Sequence, residues 1–449
     1  MNASSSSQRP PMPPAAPLSA TLSLLRDPYA FFVREAQYKY GEIFVLNGGL
    51  TKVIVVNHPE HIDHVLRRKA KNYTKGGAMW DAVRDVLGNG LVVSEGEVWR
   101  RRRSMMQPHF RRERLAGLTD AIAVTIDEVV DSWSARTDEP VNMSELCQHM
   151  TMLVMVRAVF GTEIEEREIQ AVAKDLRYVL SYITRGLVLQ RVPSWLPMPG
   201  RSAYERGVQA LSDQLDHLIA RRRAQPPGDD LLSMLLSLRD DTDEGLDDQA
   251  IHDEVINLFL AGYETTAMVT AWALHAVAER PEIARRVHAE VMEVTGGASA
   301  RFEHLNQLVY TRMVIKEALR NYPSIWQLTR TAAHEDELGG YRIPAGSHML
   351  LSLTGALHHP DAWPDPLRFD PMRHSAEREA ERPKWMWMPF GAGQRMCIGY
   401  ELALMESAII FVAVMRAFEL RTVPGRPAVP KLSLTLVSED GIWLDLKAR

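Results

Sequence analysis

Cysteine is scarce in this chain: of 449 residues, only Cys147 and Cys397 are cysteines. Cys397 sits in "PFGAGQRMCIG" (389–399), with Phe390 and Arg395 ahead of it and Gly391, Gly393 and Gly399 around it. An apolar helical run, "YELALMESAIIFVAVMRAF", follows at once, so helix N–H groups favour a thiolate at this position. Gly391 and Gly393 permit a tight turn whose N–H groups point at the sulfur. Gly399 lets a flat group or another backbone come close, Phe390 can keep water from the sulfur, and Arg395 can pair with an anion beside it. A buried structural cysteine in a glycine-rich turn is the plainer reading of the stretch taken alone.

Three further constellations change that balance. In "AGYETT" (261–266), Gly262 costs about 1 kcal/mol relative to alanine inside a helix, which calls for a close approach to the backbone. Glu264 and Thr265 place an acid beside a hydroxyl in apolar surroundings. A threonine hydroxyl there can loosen the helix and seat water, giving a proton-delivery groove; a polar kink in a long helix is the alternative. In "EALR" (317–320), Glu317 and Arg320 share a helix face. An exposed pair of this kind is common and weak, but Arg373 in "RFDPMR" can close a buried Glu-Arg-Arg network. "EVWRRRRSMMQPHFRRER" (97–114) is dense in arginine, and its Trp99 and Arg103 lie four apart on one face, where they can grip an anion. The other arginines read as an outward basic face able to dock an acidic partner. Together these describe a thiolate in a dry turn with arginines for two carboxylates, which is a haem site with an axial cysteine.

The elements that must position these residues are mostly helical. A helix from about Asp247 to Arg280 runs unbroken until Pro281, and its middle, "INLFLAGYETTAMVTAWAL", is apolar nearly all round, as in a helix through the centre of a protein. "GEIFVLNGGLTKVIVVN" (41–57) reads as a hairpin about Asn47-Gly48-Gly49. Strands return near "GGYRIPAGSHMLLSL" (339–353), and a last hairpin is expected in "LSLTLVSEDGIWLDL" with Asp440-Gly441 at its turn. Polar breaks at 223–230, 239–248 and 295–301 are short enough for loops within one domain. The fold class is mainly α with small β-sheets: residues 1–26 form a disordered Ser/Pro-rich tail, and 27–449 form one domain with a long central helix.

Composition narrows the function. A net charge of -5 gives no basic field for nucleic acid, and two cysteines build neither a disulfide framework nor a cysteine-rich zinc site. No signal peptide and no run of about 18 apolar residues is evident, so a cytoplasmic protein without a membrane span is expected.

With these residues in place, the chain resembles the cytochromes P-450, the haem-thiolate monooxygenases. Phe390, Gly393, Arg395, Cys397 and Gly399 match that family's Phe-x-x-Gly-x-Arg-x-Cys-x-Gly signature. Ala261, Gly262, Glu264, Thr265 and Thr266 match its central-helix motif. Glu317 with Arg320, Arg373 after Phe-x-Pro, and Trp99 with Arg103 match the rest, in the family's order. The resemblance implies a P-450 fold with the central helix over haem b (iron protoporphyrin IX). It implies Cys397 as iron ligand, and Trp99, Arg103, Arg330 and Arg395 at the propionates. Thr265 with Glu264 would relay protons to dioxygen, and Glu317, Arg320 and Arg373 would hold the core. One departure is Arg102, where the family often has histidine.

The resemblance also implies a substrate pocket of Met79, Trp80, Val83, Phe259, Ala261, Gly262, Thr265, Ile325, Trp326, Gln327, Leu436 and Val437. Its apolar lining suits a fatty acid, terpenoid or polyketide-like compound, hydroxylated or epoxidised. No flavin or iron–sulfur extension is evident, so a monomer served by ferredoxin and ferredoxin reductase is expected, with Arg100 to Arg102 as the docking patch. A peroxygenase or haem-thiolate isomerase is the alternative, which Glu264 and Thr265 disfavour. A haem sensor without enzymatic activity is a remoter one.

Overall fold

The structure, a computed structural model, describes residues 10–47, 52–133, 139–161, 178–179, 182 and 200–449. Residues 27–449, read from the sequence as one domain, divide into two interleaved compact units. The first comprises residues 1–77, 325–368 and 379–397, and the second 78–324, 369–378 and 398–449.

The first unit is built on a five-stranded sheet. Ile43–Asn47 pairs antiparallel with Lys52–Val56, as the alternating β-branched residues predict; the turn at Gly48 and Gly49 lies outside the described residues. Lys52–Val56 then runs parallel to His348–Ser352, which pairs antiparallel with Gln327–Ala332, and Tyr73–Thr74 closes the far edge. One face buries Val45, Ile54, Val56 and Leu351, with Ile62 and Val65 of the helical turns and Ile343 of a separate two-stranded sheet packed in the same core.

Part of the expected N-terminal tail is ordered. Leu18–Arg26 is a helix, Val45 N–H donates to Pro14 O at 2.8 Å and Ala16 N–H donates to Val45 O at 2.9 Å. The prolines that suggested a tail instead hold residues 10–17 extended beside the edge strand, a backbone that proline favours. Residues 1–9 lie outside the described residues.

The second unit is helical. Its central helix runs Asp248–Ala278, capped by the Asp247 side chain, which accepts from Ala250 N–H, and it is buried on most sides. Met143–Phe160 packs along it and buries fourteen of its eighteen residues, too apolar all round to face solvent. The three polar breaks are loops within this unit, the last entered through Gly296 in the left-handed region at φ 61°.

The C-terminal hairpin does not form as expected. Leu436–Ser438 pairs with Pro430–Leu432, whereas Trp443–Ala448 pairs with Phe418–Thr422 and Val141–Asn142. The turn at Asp440-Gly441 exists, with Gly441 at φ 82°, but it passes the chain between two sheets. Among the described residues, no helix is long and apolar enough to cross a membrane.

Candidate active site

The Cys397 turn lies at the end of the first unit. Gly391 and Gly393 both adopt left-handed backbone, at φ 73° and 69°, as their place in a tight turn predicts. Cys397 N–H donates to Phe390 O at 3.0 Å, and Met396 N–H to Gly393 O at 3.1 Å, which folds the loop back on itself. A Cβ on Gly393 would stand 2.2 Å from Leu66 O, so the glycine is required by the backbone beneath it. The two thiols differ sharply: Cys397 is exposed, whereas Cys147 is fully buried and burial pushes its thiol far up. Only Cys397 offers an accessible sulfur for a metal. Arg330 is buried on the strand Gln327–Ala332 and donates to Thr329 O at 2.8 Å; Arg395 is half-buried in the Cys397 turn itself. Phe390 packs edge-on to Trp387, ring centroids 6.1 Å apart. Ile325, Trp326 and Gln327 are all half-buried, with Trp326 against Phe32.

In the second unit the acid–threonine stretch stays helical, and the two side chains part company. Neighbours on a helix point about 100° apart. Thr435 Oγ1 donates to Glu264 Oε1 at 2.9 Å, while Thr265 Oγ1 donates to Ala261 O at 2.7 Å. Thr265 thus spends its hydroxyl hydrogen on the carbonyl one turn back. The groups around it are nevertheless tied together. Ser324 Oγ donates to Thr265 O at 2.7 Å, and Leu436 N–H donates to Ser324 O at 2.9 Å. The short segment Thr435–Leu436 thus braces both the acid and the threonine. Burial raises the Glu264 carboxyl pKa, and the bond from Thr435 pulls it part of the way back.

Leu258, Ala261, Gly262 and Thr265 share one face of the central helix, and none of the four is buried; Ala261 is exposed. Phe259, expected in the pocket, points elsewhere: it is 1% exposed and lies near Tyr263 in the core. Leu258 takes its place on the face, as the spacing back from Thr265 would have indicated. A Cβ on Gly262 would meet Met155 Cε at 2.6 Å, so the glycine admits the close approach of the neighbouring helix Met143–Phe160. Leu436 is fully buried, and Val437 is half-buried. Trp80 is buried and Val83 half-buried on the helix Ala78–Leu87, while the side chain of Met79 lies outside the described residues.

Glu317 and Arg320 are both fully buried and joined twice, at 2.9 Å each. Arg373 Nε stands 3.5 Å from Glu317 Oε1, closing the expected triad, and His374 adds a contact at 3.1 Å that the sequence did not suggest. Burial raises the Glu317 pKa, but His374 and Arg320 outweigh it and hold the carboxyl at about 2.

Trp99 is buried and Arg103 half-buried on the helix Gly96–Met106, with Arg103 Nε donating to Gln107 Oε1 at 3.0 Å. The outward basic face is corrected at Arg102, while Arg111 and Arg114 are exposed. Arg102 is buried, 3.0 Å from Glu254 and donating to Asn89 O at 2.6 Å, and Arg101 is held by Asp240 at 2.5 Å. Arg100 is exposed, at 2.7 Å from Glu97. Glu254 is fully buried, so the pull on Arg102 comes from a carboxylate with no access to water.

The cytochrome P450 family model matches residues 10–442. The chain is a cytochrome P450. It is 38% identical over 412 residues to cyclooctat-9-en-7-ol 5-monooxygenase of Streptomyces melanosporofaciens, covering 91% of this chain and 88% of that one. It is 31% identical over 411 residues to pentalenene oxygenase of Streptomyces avermitilis, 91% of each. Cyclooctatin synthase of Streptomyces melanosporofaciens is 33% identical over 407 residues, 88% of this chain and 87% of that one. The crystal structure of the cytochrome P450DA heme domain has the same fold, with a TM-score of 0.88 at 23% identity over 98% of both chains. This P450 is thus a monooxygenase whose family cofactor is haem. Its residues fit that group: one accessible cysteine in a tight glycine turn, with Arg330 and Arg395 in the same unit.

Proposed function

We propose that this P450 hydroxylates a cyclic terpenoid, placing one atom of dioxygen on carbon while two electrons and two protons carry the other to water. The observation that carries the proposal is the open apolar face of Leu258, Ala261 and Gly262 beside Thr265, in a chain 38% identical to a monooxygenase named for cyclooctat-9-en-7-ol. An apolar wall beside a hydroxyl suits a hydrocarbon skeleton with few polar handles.

Haem b, when bound, supplies the redox-active iron and its affinity for dioxygen. In this reading Cys397 would hold the iron, and Phe390 would keep water from the sulfur and so favour electron donation by the thiolate. By the family resemblance, Arg330, Arg395, Trp99 and Arg103 would neutralise the propionates. Gly393 and Gly399 let the turn lie flat. Glu264, whose carboxyl burial raises above its ordinary range, would deliver a proton, and Thr265 would present a hydroxyl through which it can move. Glu317, Arg320 and Arg373 keep the scaffold rigid and take no part in chemistry. Electrons come from a ferredoxin and its reductase in the cytoplasm.

The test begins with the reduced, carbon monoxide-bound spectrum, which should carry the thiolate red shift and lose it in Cys397→Ser. Cyclic diterpene alcohols, fatty acids and macrolides are then titrated for a spin-state shift. Saturation by the diterpenes alone, with turnover needing NAD(P)H, ferredoxin, reductase and dioxygen, supports the proposal. A shift only with fatty acids or macrolides overturns the substrate class. Turnover with hydrogen peroxide alone overturns the monooxygenase cycle in favour of a peroxygenase.

A further inference from the structure

A second cluster of chemically capable side chains lies wholly within the first unit and has no part in the chemistry above. Glu42, His58, His359 and Asp361 each offer a ligand atom, and the four atoms lie within 4.8 Å of one another. The sheet brings them together. Glu42 precedes Ile43–Asn47, and His58 follows Lys52–Val56, its antiparallel partner; Asn57 N–H donates to Glu42 O at 2.9 Å and ties the two ends. Lys52–Val56 runs parallel to His348–Ser352, which passes into the short helix Leu353–Leu357, and His359 and Asp361 follow it at the same end.

The two imidazoles are arranged to give lone pairs. The rings of His58 and His359 stand edge to face, centroids 4.7 Å apart, and His61 lies 5.3 Å from His58. Their Nδ1 atoms accept only long backbone bonds, 3.3 Å from Glu60 N–H and 3.4 Å from Asp361 N–H. Glu42 and Asp361 are exposed, so an ion has a path in from solvent, whereas His359 is 4% exposed. His61 Nε2 meets Glu42 Oε2 at 2.8 Å and fixes that carboxylate from behind.

We propose that Glu42, His58, His359 and Asp361 form a binding site for a zinc-type divalent cation. Two imidazoles and two carboxylates are a four-coordinate set for that ion, whereas calcium and magnesium take oxygen ligands. A tetrahedral shell with ligands at about 2.0–2.2 Å spaces them about 3.3–3.6 Å apart, so side-chain rotations that close the present gaps by about 1 Å suffice. The ion would join the start of the first hairpin to the segment after His348–Ser352, two stretches far apart in the chain. It would act as a clamp, since four protein ligands leave no open position for catalysis.

The experiment uses the untagged holoprotein, washed with EDTA and titrated with zinc sulfate by calorimetry. One saturable equivalent is expected, with a matching rise in the unfolding temperature. His58→Ala/His359→Ala should weaken binding by more than about tenfold and abolish the thermal shift. Glu42→Gln/Asp361→Asn should weaken it similarly, and answers the question if the histidine variant fails to fold. The carbon monoxide-bound Soret band of each variant reports that it is folded. No saturable binding by the unaltered protein, or undiminished affinity in a folded variant, overturns the proposal.

Discussion

Glu264 carries a carboxyl under two opposed influences: burial raises its proton affinity, and the hydroxyl of Thr435 lowers it. Removing the hydroxyl leaves burial alone. Thr435→Val should therefore move the basic limb of the turnover–pH profile to higher pH, because the protonated form persists further, and should slow turnover about tenfold by unseating the acid. The profile of the variant, measured with the same electron donors, checks both parts. A fall in turnover with no movement of the limb would mean that Thr435 only packs. Cys397 and Glu264 stand out as candidates in the sequence because a scarce thiol among glycines and an acid in an apolar helix each break a local rule. Thr435 and Ser324 do not: each is an ordinary hydroxyl residue, and only the packing of distant segments against the central helix gives it a partner. Phe259 was misplaced for a related reason, since a large apolar residue next to a motif looks like pocket lining until the helix phase assigns it to the core.

At the scale of the element, two helices and a turn carry separable predictions. Glu317 is held at about 2 in the folded chain against an ordinary value of 4.5. A depressed carboxylate stabilises the fold above its unfolded pKa, and the contribution is lost as pH falls toward the folded value. On the order of 3 kcal/mol should disappear between about pH 5 and 2, and unfolding temperatures over that window should fall more steeply in the unaltered protein than in Glu317→Gln. The variant starts lower because Arg320 loses its buried partner. Glu406 has the opposite sign. It is 1% exposed on the helix Tyr400–Ala417, and burial pushes its carboxyl up to about 8. The unfolded chain gains by ionising it above about pH 4.5, so Glu406→Gln should stabilise the protein at pH 7 and the gain should vanish near pH 4. Denaturant midpoints at both values check it. In the Cys397 turn, Gly393→Ala sets a Cβ against Leu66 O in a left-handed backbone, and haem incorporation should fall severely.

Over the whole molecule, helix content, the first hairpin and the central helix followed from periodicity, because those elements are long or locally paired. The partners of the C-terminal strands did not, since strands of three or six residues have too little pattern to name their neighbours. Nor did periodicity show that Arg102 turns inward, which Glu254 decides from over 150 positions away. The division into two interleaved units has a testable result. A fragment ending at residue 324 lacks His348–Ser352, the parallel partner of Lys52–Val56. Amide exchange at residues 53–56 should be fast in that fragment and slow in the full chain. The same topology bears on synthesis. About 300 residues separate the two strands, so at roughly 5–20 residues per second the nascent hairpin waits about 15–60 s with one edge unpaired. In that interval a chaperone that covers strand edges would govern how much newly made chain reaches the haem-binding state at all.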